Sequence, residues 1–473
     1  MQKGRRGAII GADRKGGRQV VKDMTAGSPA RLILSFSLPL LVGNIFQQLY
    51  NMVDAMVVGR FIGTGALAAV GSTGAISFLV LGFVIGLTGG FSVVTAQRFG
   101  ADDQDGLRQA VAMSFYIGAG MTVVLTAVSV LLTHPLLRFM DTPPDIYADA
   151  YTYIVIIFAG SGATVFYNLV SGVLRALGDS RTPLYFLILS SLINVGLDLL
   201  FIIPFQMGVA GAAYATVIAQ VVSGLLCLLY MLRRYPILKL RRDDWRLRKS
   251  WCVQHLKLGL PMALQFSITA VGIMVLQKAL NSFGSNTIAA YTAASKVEQL
   301  ATQPLQTLGI TMATYCGQNL GAGRIDRIRR GVVRSVQICV VCCLACGLLV
   351  VFGGRFFVGL FLEGDQPAVV EQAQQYLNTI AGFLIVLGLL FIFRNALQGM
   401  GSTLVPMLAG AAELVVRVLV AFLLPAVMGY AAICIAGPAA WVGATIPLIV
   451  CYLLLMRRLR SVRPEMKPEE TAP

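Results

Sequence analysis

Charge is scarce in this chain, and acid is scarcer than base. Of 473 residues only 13% are Asp, Glu, Lys or Arg, while 56% are hydrophobic. By length alone a soluble chain would hold about three domains. No soluble domain is so poor in charge, and the composition is that of a polytopic membrane protein. The two histidines, His134 and His255, fall near opposite membrane surfaces and cannot share a metal. The nine cysteines are odd in number and sit mostly in apolar runs, which reads as small buried thiols rather than a disulfide framework. Four of them, Cys339, Cys342, Cys343 and Cys346 in CVVCCLAC, share one helix face and suit a helix–helix contact better than a metal. The N-terminus lacks the short apolar core and small-residue cleavage site of a signal peptide. It reads instead as a disordered basic tail, with a more compact start at Met24. No nucleophile–base–acid constellation and no phosphate loop is visible, so neither an enzyme nor a bound cofactor or metal is expected.

What the chain has is spans. Twelve segments reach the ~20 residues a bilayer requires. They are 32–57, 66–92, 110–132, 150–172, 183–203, 209–232, 258–281, 287–313, 332–352, 374–397, 406–427 and 432–456. Lys and Arg orient them. With Arg334, at the edge of the span 332–352, counted in the segment before it, the segments on one side hold 31 of these residues, the other side holds 3 (Arg60, Arg138, Arg355), and 4 lie deeper within spans. Both termini are therefore expected in the cytoplasm. The net charge of +16 becomes an inner-leaflet signature rather than a nucleic-acid surface. The expected divisions are a basic tail (1–31), a six-helix bundle (32–232), a cytoplasmic linker lying on the anionic inner surface (233–257), a second six-helix bundle (258–456) and a tail (457–473).

The halves repeat. SLPLLV at 37–42 answers GLPMAL at 259–264, AQRFGADDQDGLR at 96–108 answers GQNLGAGRIDRIR at 317–329, and RALGDSRTP at 175–183 answers QGMGSTLVP at 398–406. The offsets are 222, 221 and 223. Six spans per half is an even number, so both copies share one orientation. A pseudo-two-fold along the membrane normal, with a cavity between the bundles, is expected. The acidic GADDQDG stretch and the LRALGDSRTP stretch, in which Arg175 is expected to pair with Asp179, read as inner-gate or turn elements.

The stretch from Pro39 to Gly59, PLLVGNIFQQLYNMVDAMVVG, carries Asn44, Gln47, Gln48, Asn51 and Asp54 at steps of three and four. On a helix they form one polar stripe. A carboxylate inside hydrocarbon costs several kcal/mol unless it faces a cavity, a cation or a proton, which marks Asp54. The N-terminal half holds Asp54 and Asp198 within spans and no base. The C-terminal half holds Lys278, Lys296, Glu298, Arg394, Glu413 and Arg417, of which Glu413 and Arg417 are four apart and expected to pair. A cation site thus belongs in the first half. Asp54, Asp198 and Thr216 fall at similar depths in the outer half of the bilayer, and Asn194 lies one turn from Asp198. Two carboxylates, an amide oxygen and a hydroxyl suit a hard cation, and paired carboxylates equally suit proton exchange.

These residues resemble the multidrug and toxic compound extrusion (MATE) transporters, in the DNA-damage-inducible-protein-F-like or staphylococcal multidrug-exporter-like branch. The resemblance covers essentially all of 28–456. It rests on LPLLVGNIFQQLYNMVDAMVVG, AQRFGADD with its echo CGQNLGAG, LRALGDSRTP and NVGLD. It implies an all-α membrane protein of twelve transmembrane helices, in two pseudo-two-fold-related six-helix bundles around a V-shaped cavity. It implies export of cationic and amphipathic drugs in exchange for H⁺ or Na⁺. By resemblance Asp54 is the essential acid of the first helix, Pro39 its hinge, and Asn194, Asp198 and Thr216 complete the cation site. Gln47, Tyr50, Asn51, Asn168, Gln265 and Met274 are the candidates for the substrate cavity. One departure stands out. The sodium-coupled branch with a C-terminal site has acids on helices 7 and 10, where this chain offers Gln265 and Arg394. No cation site is expected there.

The leading expectation is a monomeric multidrug antiporter of a plasma or bacterial inner membrane, with drug-like cations and the bilayer as its partners. Export of lipid-linked oligosaccharide or another amphipathic metabolite is the alternative within transport. A non-transporting membrane sensor would have no use for the paired carboxylates.

Overall fold

The computed structural model describes residues 23–280, 283–361 and 366–462. Among the described residues all regular structure is helical. The first half contains α1 (Pro29–Phe61), α2 (Thr64–Ser72), α3 (Gly74–Gly100), α4 (Gln104–Phe139), α5 (Pro144–Ala159), α6 (Ser161–Ala176), α7 (Arg181–Ile202) and α8 (Gly208–Arg234). The second contains α9 (Lys249–Leu280), α10 (Ser285–Gly321), α11 (Ile325–Gly359), α12 (Pro367–Gly399), α13 (Leu404–Leu423), the single turn α14 (Pro425–Met428) and α15 (Tyr430–Val462).

Ten of these helices are long and apolar enough to cross a bilayer, and α5 with α6, bent by 45° at their junction, makes an eleventh. The twelfth expected span lies in α10, which is 37 residues long but too polar to qualify by hydropathy. Its position accounts for its composition. It buries Gln303, Thr307, Thr311, Gln318 and Asn319 among α1, α3, α11 and α12. A helix enclosed by protein does not need an apolar surface all round. The expected span 66–92 is also interrupted. α2 and α3 meet at Thr73, whose hydroxyl turns back to the Val70 carbonyl at 2.7 Å, between Gly71 and Gly74. Its repeat, α10, runs unbroken.

The halves meet chiefly where α3 packs on α9, with further contact of α10 on α3 and of α1 on α10. At the end near Met24, two glycines of the repeated AQRFG and GQNLG motifs set the approach. A Cβ on Gly100 would stand 1.9 Å from the Gln318 carbonyl oxygen, and one on Gly321 would stand 1.9 Å from that of Gln97. Backbone lies against backbone, so neither position has room for a side chain.

The connections at this same end are tightly held. Asp103 accepts from the Gly106 N–H at the start of α4 and pairs with Arg98. Arg175 does not pair with Asp179 as expected; it donates to the Ser171 hydroxyl at 3.2 Å. Asp179 instead accepts the N–H groups of Arg181 and Thr182 at the start of α7, and the Tyr235 hydroxyl at 2.6 Å. Backbone N–H groups outcompete the arginine because a helix start presents donors already aimed at the carboxylate. Burial first, and the Asp179 charge second, raise the Tyr235 phenol above its ordinary range, so it remains a donor. The linker after α8 makes two short 3-10 turns, Pro236–Leu238 and Arg242–Trp245. It docks on α4 through Asp244 and Arg108 (3.2 Å) and through Trp245 edge-on to Tyr116, leaving Arg242, Arg246 and Leu247 exposed.

Most of the expected N-terminal tail (residues 1–22) lies outside the described residues. The part that is described is ordered. Met24 is fully buried, its N–H donates to Gln318 (2.9 Å), and its carbonyl accepts from Asn319 and Arg327.

Candidate functional site

α1 runs unbroken through Pro39, whose missing N–H leaves the Ser35 carbonyl without its helical donor. The polar stripe that follows divides its attention between the halves. Ser37 shares a hydrogen bond with Thr311 (2.7 Å) and the Asn44 amide donates to Thr307 (3.3 Å), both on α10. Gln47 and Asn51 are exposed and Gln48 is half-buried. Tyr50 and Asp54, one turn apart, turn instead toward α7 and α8 of the first half.

There the structure brings together Asp54, Asn194, Asp198 and Thr216. Asn194 and Asp198 sit one turn apart on α7, with relative exposures of 1% and 0%. Asp54 faces Asp198 within hydrogen-bonding reach. The Asn194 amide donates to the Thr216 hydroxyl at 3.2 Å, and that hydroxyl donates to the Ala212 carbonyl at 3.0 Å. Tyr50 lies beside the same hydroxyl, whose one hydrogen is already given to Ala212. Four acceptor oxygens then remain buried with no donor: Asp54 Oδ1, both oxygens of Asp198, and Asn194 Oδ1. Around these side chains lie Val57, Val58, Ile202, Val209 and Ala212, an apolar wall that keeps the local dielectric low. Two carboxylates in contact there repel strongly unless a proton or a cation lies between them.

Tyr153 of α5 belongs to the same cluster and was not anticipated. It packs on the apolar wall and lies close enough to Asp54, Tyr50 and Asp198 to interact electrostatically with all three. No spacing in the sequence distinguishes it from its neighbours Tyr147 and Tyr151, which stack on His134 instead.

The second half is built differently. Glu413 is held by Arg394 and Arg417, each at 2.8 Å, and all three are buried. The expected Glu413–Arg417 pair is present, and Arg394 of α12 joins it. Gln265 lies 2.7 Å from Gln398, with the Arg394 guanidinium 3.3 Å away. The amide orientation that points the Gln265 oxygen at Arg394 gives those N–H groups an acceptor. Glu298 accepts from the Tyr376 hydroxyl at 2.7 Å. Met274 is half-buried on α9, and the Asn168 amide donates to the Thr164 carbonyl of its own helix (2.8 Å). Among the described residues no group of three or more His, Cys, Asp or Glu side chains could hold a metal ion.

A family profile described as MatE matches residues 39–200 and again 261–423, in register with the internal repeat. The chain is 30% identical over 384 residues to the probable multidrug resistance protein YpnP of Bacillus subtilis, covering 81% of this chain and 85% of that one. It is 29% identical over 370 residues to the probable multidrug resistance protein YoeA of the same organism, covering 76% and 78%. A solved MOP superfamily transporter from Pyrococcus furiosus superposes with a TM-score of 0.86 at 23% identity, over 95% of this chain and all of that one.

Proposed function

The chain is a multi-pass membrane protein of the MatE family of transporters, and on that premise we propose that it exports drug-like cationic and amphipathic compounds by antiport with H⁺ or Na⁺. The single observation that supports this reading is the set of four buried acceptor oxygens at Asp54, Asp198 and Asn194 with no donor among them. Buried polar atoms are almost always satisfied. A cluster that only accepts, in a low-dielectric wall, asks for a positive charge.

In this proposal H⁺ or Na⁺ and the cationic drug bind the Asp54–Asp198 pair alternately. A proton on either carboxyl makes it a donor to the other, and a cation takes the same oxygens as ligands. Either event removes one of the pair's two negative charges and so weakens its hold on a cationic drug. Tyr50, Asn51 and Gln47 extend from this pair along α1, so a change at Asp54 is transmitted to the stripe lining the cavity. Gln265, Asn168 and Met274 contribute to that cavity. Pro39 is the point at which α1 bends, because the Ser35 carbonyl has no helical bond to break there. Both termini lie in the cytoplasm, by the Lys and Arg bias. The protein works as a monomer in a plasma or bacterial inner membrane. The inner-end contacts of Gly100 and Gly321 favour an arrangement closed on that side and open on the other.

The test is ethidium transport by purified protein in vesicles, under an imposed pH gradient and separately under a sodium gradient. Gradient-driven movement that Asp54→Asn abolishes supports the reading. Transport insensitive to both gradients, or undiminished in Asp54→Asn, would refute it.

A further inference from the structure

We propose that the groove between the start of α1 and the start of α11 binds one anionic phospholipid of the inner leaflet. The groove encloses about 600 Å³ and is lined by Ser28 and Pro29 on one side and by Arg329, Arg330, Val333, Arg334 and Gln337 on the other, with Asp326 at its end. Three arginines against one aspartate leave the groove cationic. The aspartate is shared with Arg330 at 3.7 Å, a distance that leaves that guanidinium free to turn to a second anion. α1 adds to the attraction. The Ser28 side chain accepts no N–H from the first turn of α1, so the positive end of that helix stands uncapped beside Ser28 and Pro29.

The identity of the anion follows from the rest of the same helix face. Residues 326, 330, 333, 334 and 337 of α11 recur at helical spacing, and the row continues through Val341, Leu344 and Leu348, all exposed and all apolar. One face is thus cationic for three turns and oily beyond. From Gln337 to Leu348 the rise is about 16 Å at ~1.5 Å per residue. Half of a hydrocarbon core is about 15 Å. A phosphate headgroup in the groove would lay an acyl chain along Val341, Leu344 and Leu348 over one leaflet, which a free phosphate could not use. The location matters because residues 24–27, held by Arg327, lead directly into Ser28 and Pro29. A lipid seated there touches the base of the helix that bends at Pro39. The proposal rests on the orientation that puts this end in the cytoplasm, but not on the coupling mechanism.

Native mass spectrometry of protein extracted from vesicles of mixed phosphatidylglycerol and phosphatidylcholine tests it. The wild-type chain is expected to retain one phosphatidylglycerol in preference to phosphatidylcholine. The groove variant Arg329→Gln/Arg330→Gln/Arg334→Gln should lose that preference, on the order of fivefold for each charge removed. The control Arg242→Gln/Arg246→Gln/Arg248→Gln removes the same charge from the exposed linker and should keep it. Millimolar inorganic phosphate should not displace the lipid. Equal loss in both variants would reduce the effect to general surface charge and overturn the proposal. So would retention by the groove variant, or displacement by phosphate. Circular dichroism melting of both variants separates lost binding from lost fold. Ethidium transport in phosphatidylcholine alone tests the transport reading independently of this site.

Discussion

Gln97 and Gln318 reach across the molecule to equivalent places. Gln97 donates to the Gly399 carbonyl at the end of α12, and Gln318 donates to the Ala176 carbonyl at the end of α6. Each glutamine comes from one copy of the repeat and bonds to the other copy, at positions that the repeat itself relates. The two bonds, at 3.0 and 2.8 Å, lock the halves together at the end near Met24 from both sides. Gln318 carries more, because its oxygen also accepts from Met24.

Removing either amide should loosen that end. Each bond contributes about 1 kcal/mol net, so Gln97→Ala and Gln318→Ala should each shift the population toward separated halves at that end by roughly fivefold. Spin-label distances across it would show the change. The Gln318 variant should move further, since it also frees Met24, and identical distances in all three proteins would remove the lock.

The second carboxylate should matter as much as the first. Asp198→Asn is nearly isosteric but supplies donors where Asp54 now faces only acceptors. Gradient-driven ethidium export is expected to fall at least tenfold (about 1.4 kcal/mol in a barrier) while expression and melting stay near wild type. A variant with full export would separate Asp198 from the coupling site.

Tyr153→Phe keeps the ring on the apolar wall and removes only the hydroxyl. That hydroxyl lies within electrostatic range of Asp54 and Asp198, and a polar interaction of about 1 kcal/mol predicts that half-maximal transport needs roughly fivefold more coupling ion. An unchanged ion dependence would assign Tyr153 to packing alone.

The second half should respond to mutation as structure rather than as transport. Glu413→Gln leaves Arg394 and Arg417 buried without their counter-charge, a change that typically costs about 3–5 kcal/mol. The melting temperature should drop sharply, with recovery when both arginines are also replaced by methionine. A Glu413→Gln protein that melts normally but fails to transport would move the functional site into this half.

Tyr235→Phe removes the hydroxyl from Asp179 and should destabilise the start of α7 by about 1–3 kcal/mol. The folded phenol titrates above its unfolded value, so its contribution is fully present below pH ~10 and fades as pH rises beyond that. Melting curves of the two proteins should differ by a constant margin from pH 7 to 9 and converge above 10. A margin that grew with pH would reverse the sign.

Much of this protein was written in one dimension. Hydrophobic runs of about twenty residues mark spans because a bilayer imposes that length whatever the fold, and the three repeated motifs announce two halves. The cost of a carboxylate in hydrocarbon singled out Asp54 and Asp198, and their depths along separate helices brought Asn194 and Thr216 with them. Hydropathy is weakest where protein replaces lipid as the surroundings: α10, read above as the span 287–313, is polar because its neighbours are Ser37, Asn44 and Met24 rather than acyl chains. Sequence could not show that Tyr153 joins the carboxylates, that Asp179 serves a helix start and a tyrosine rather than Arg175, or that Arg394 shares Glu413. Those are choices among competing partners, and a side chain's partner depends on which helix stands beside it once the bundles have closed.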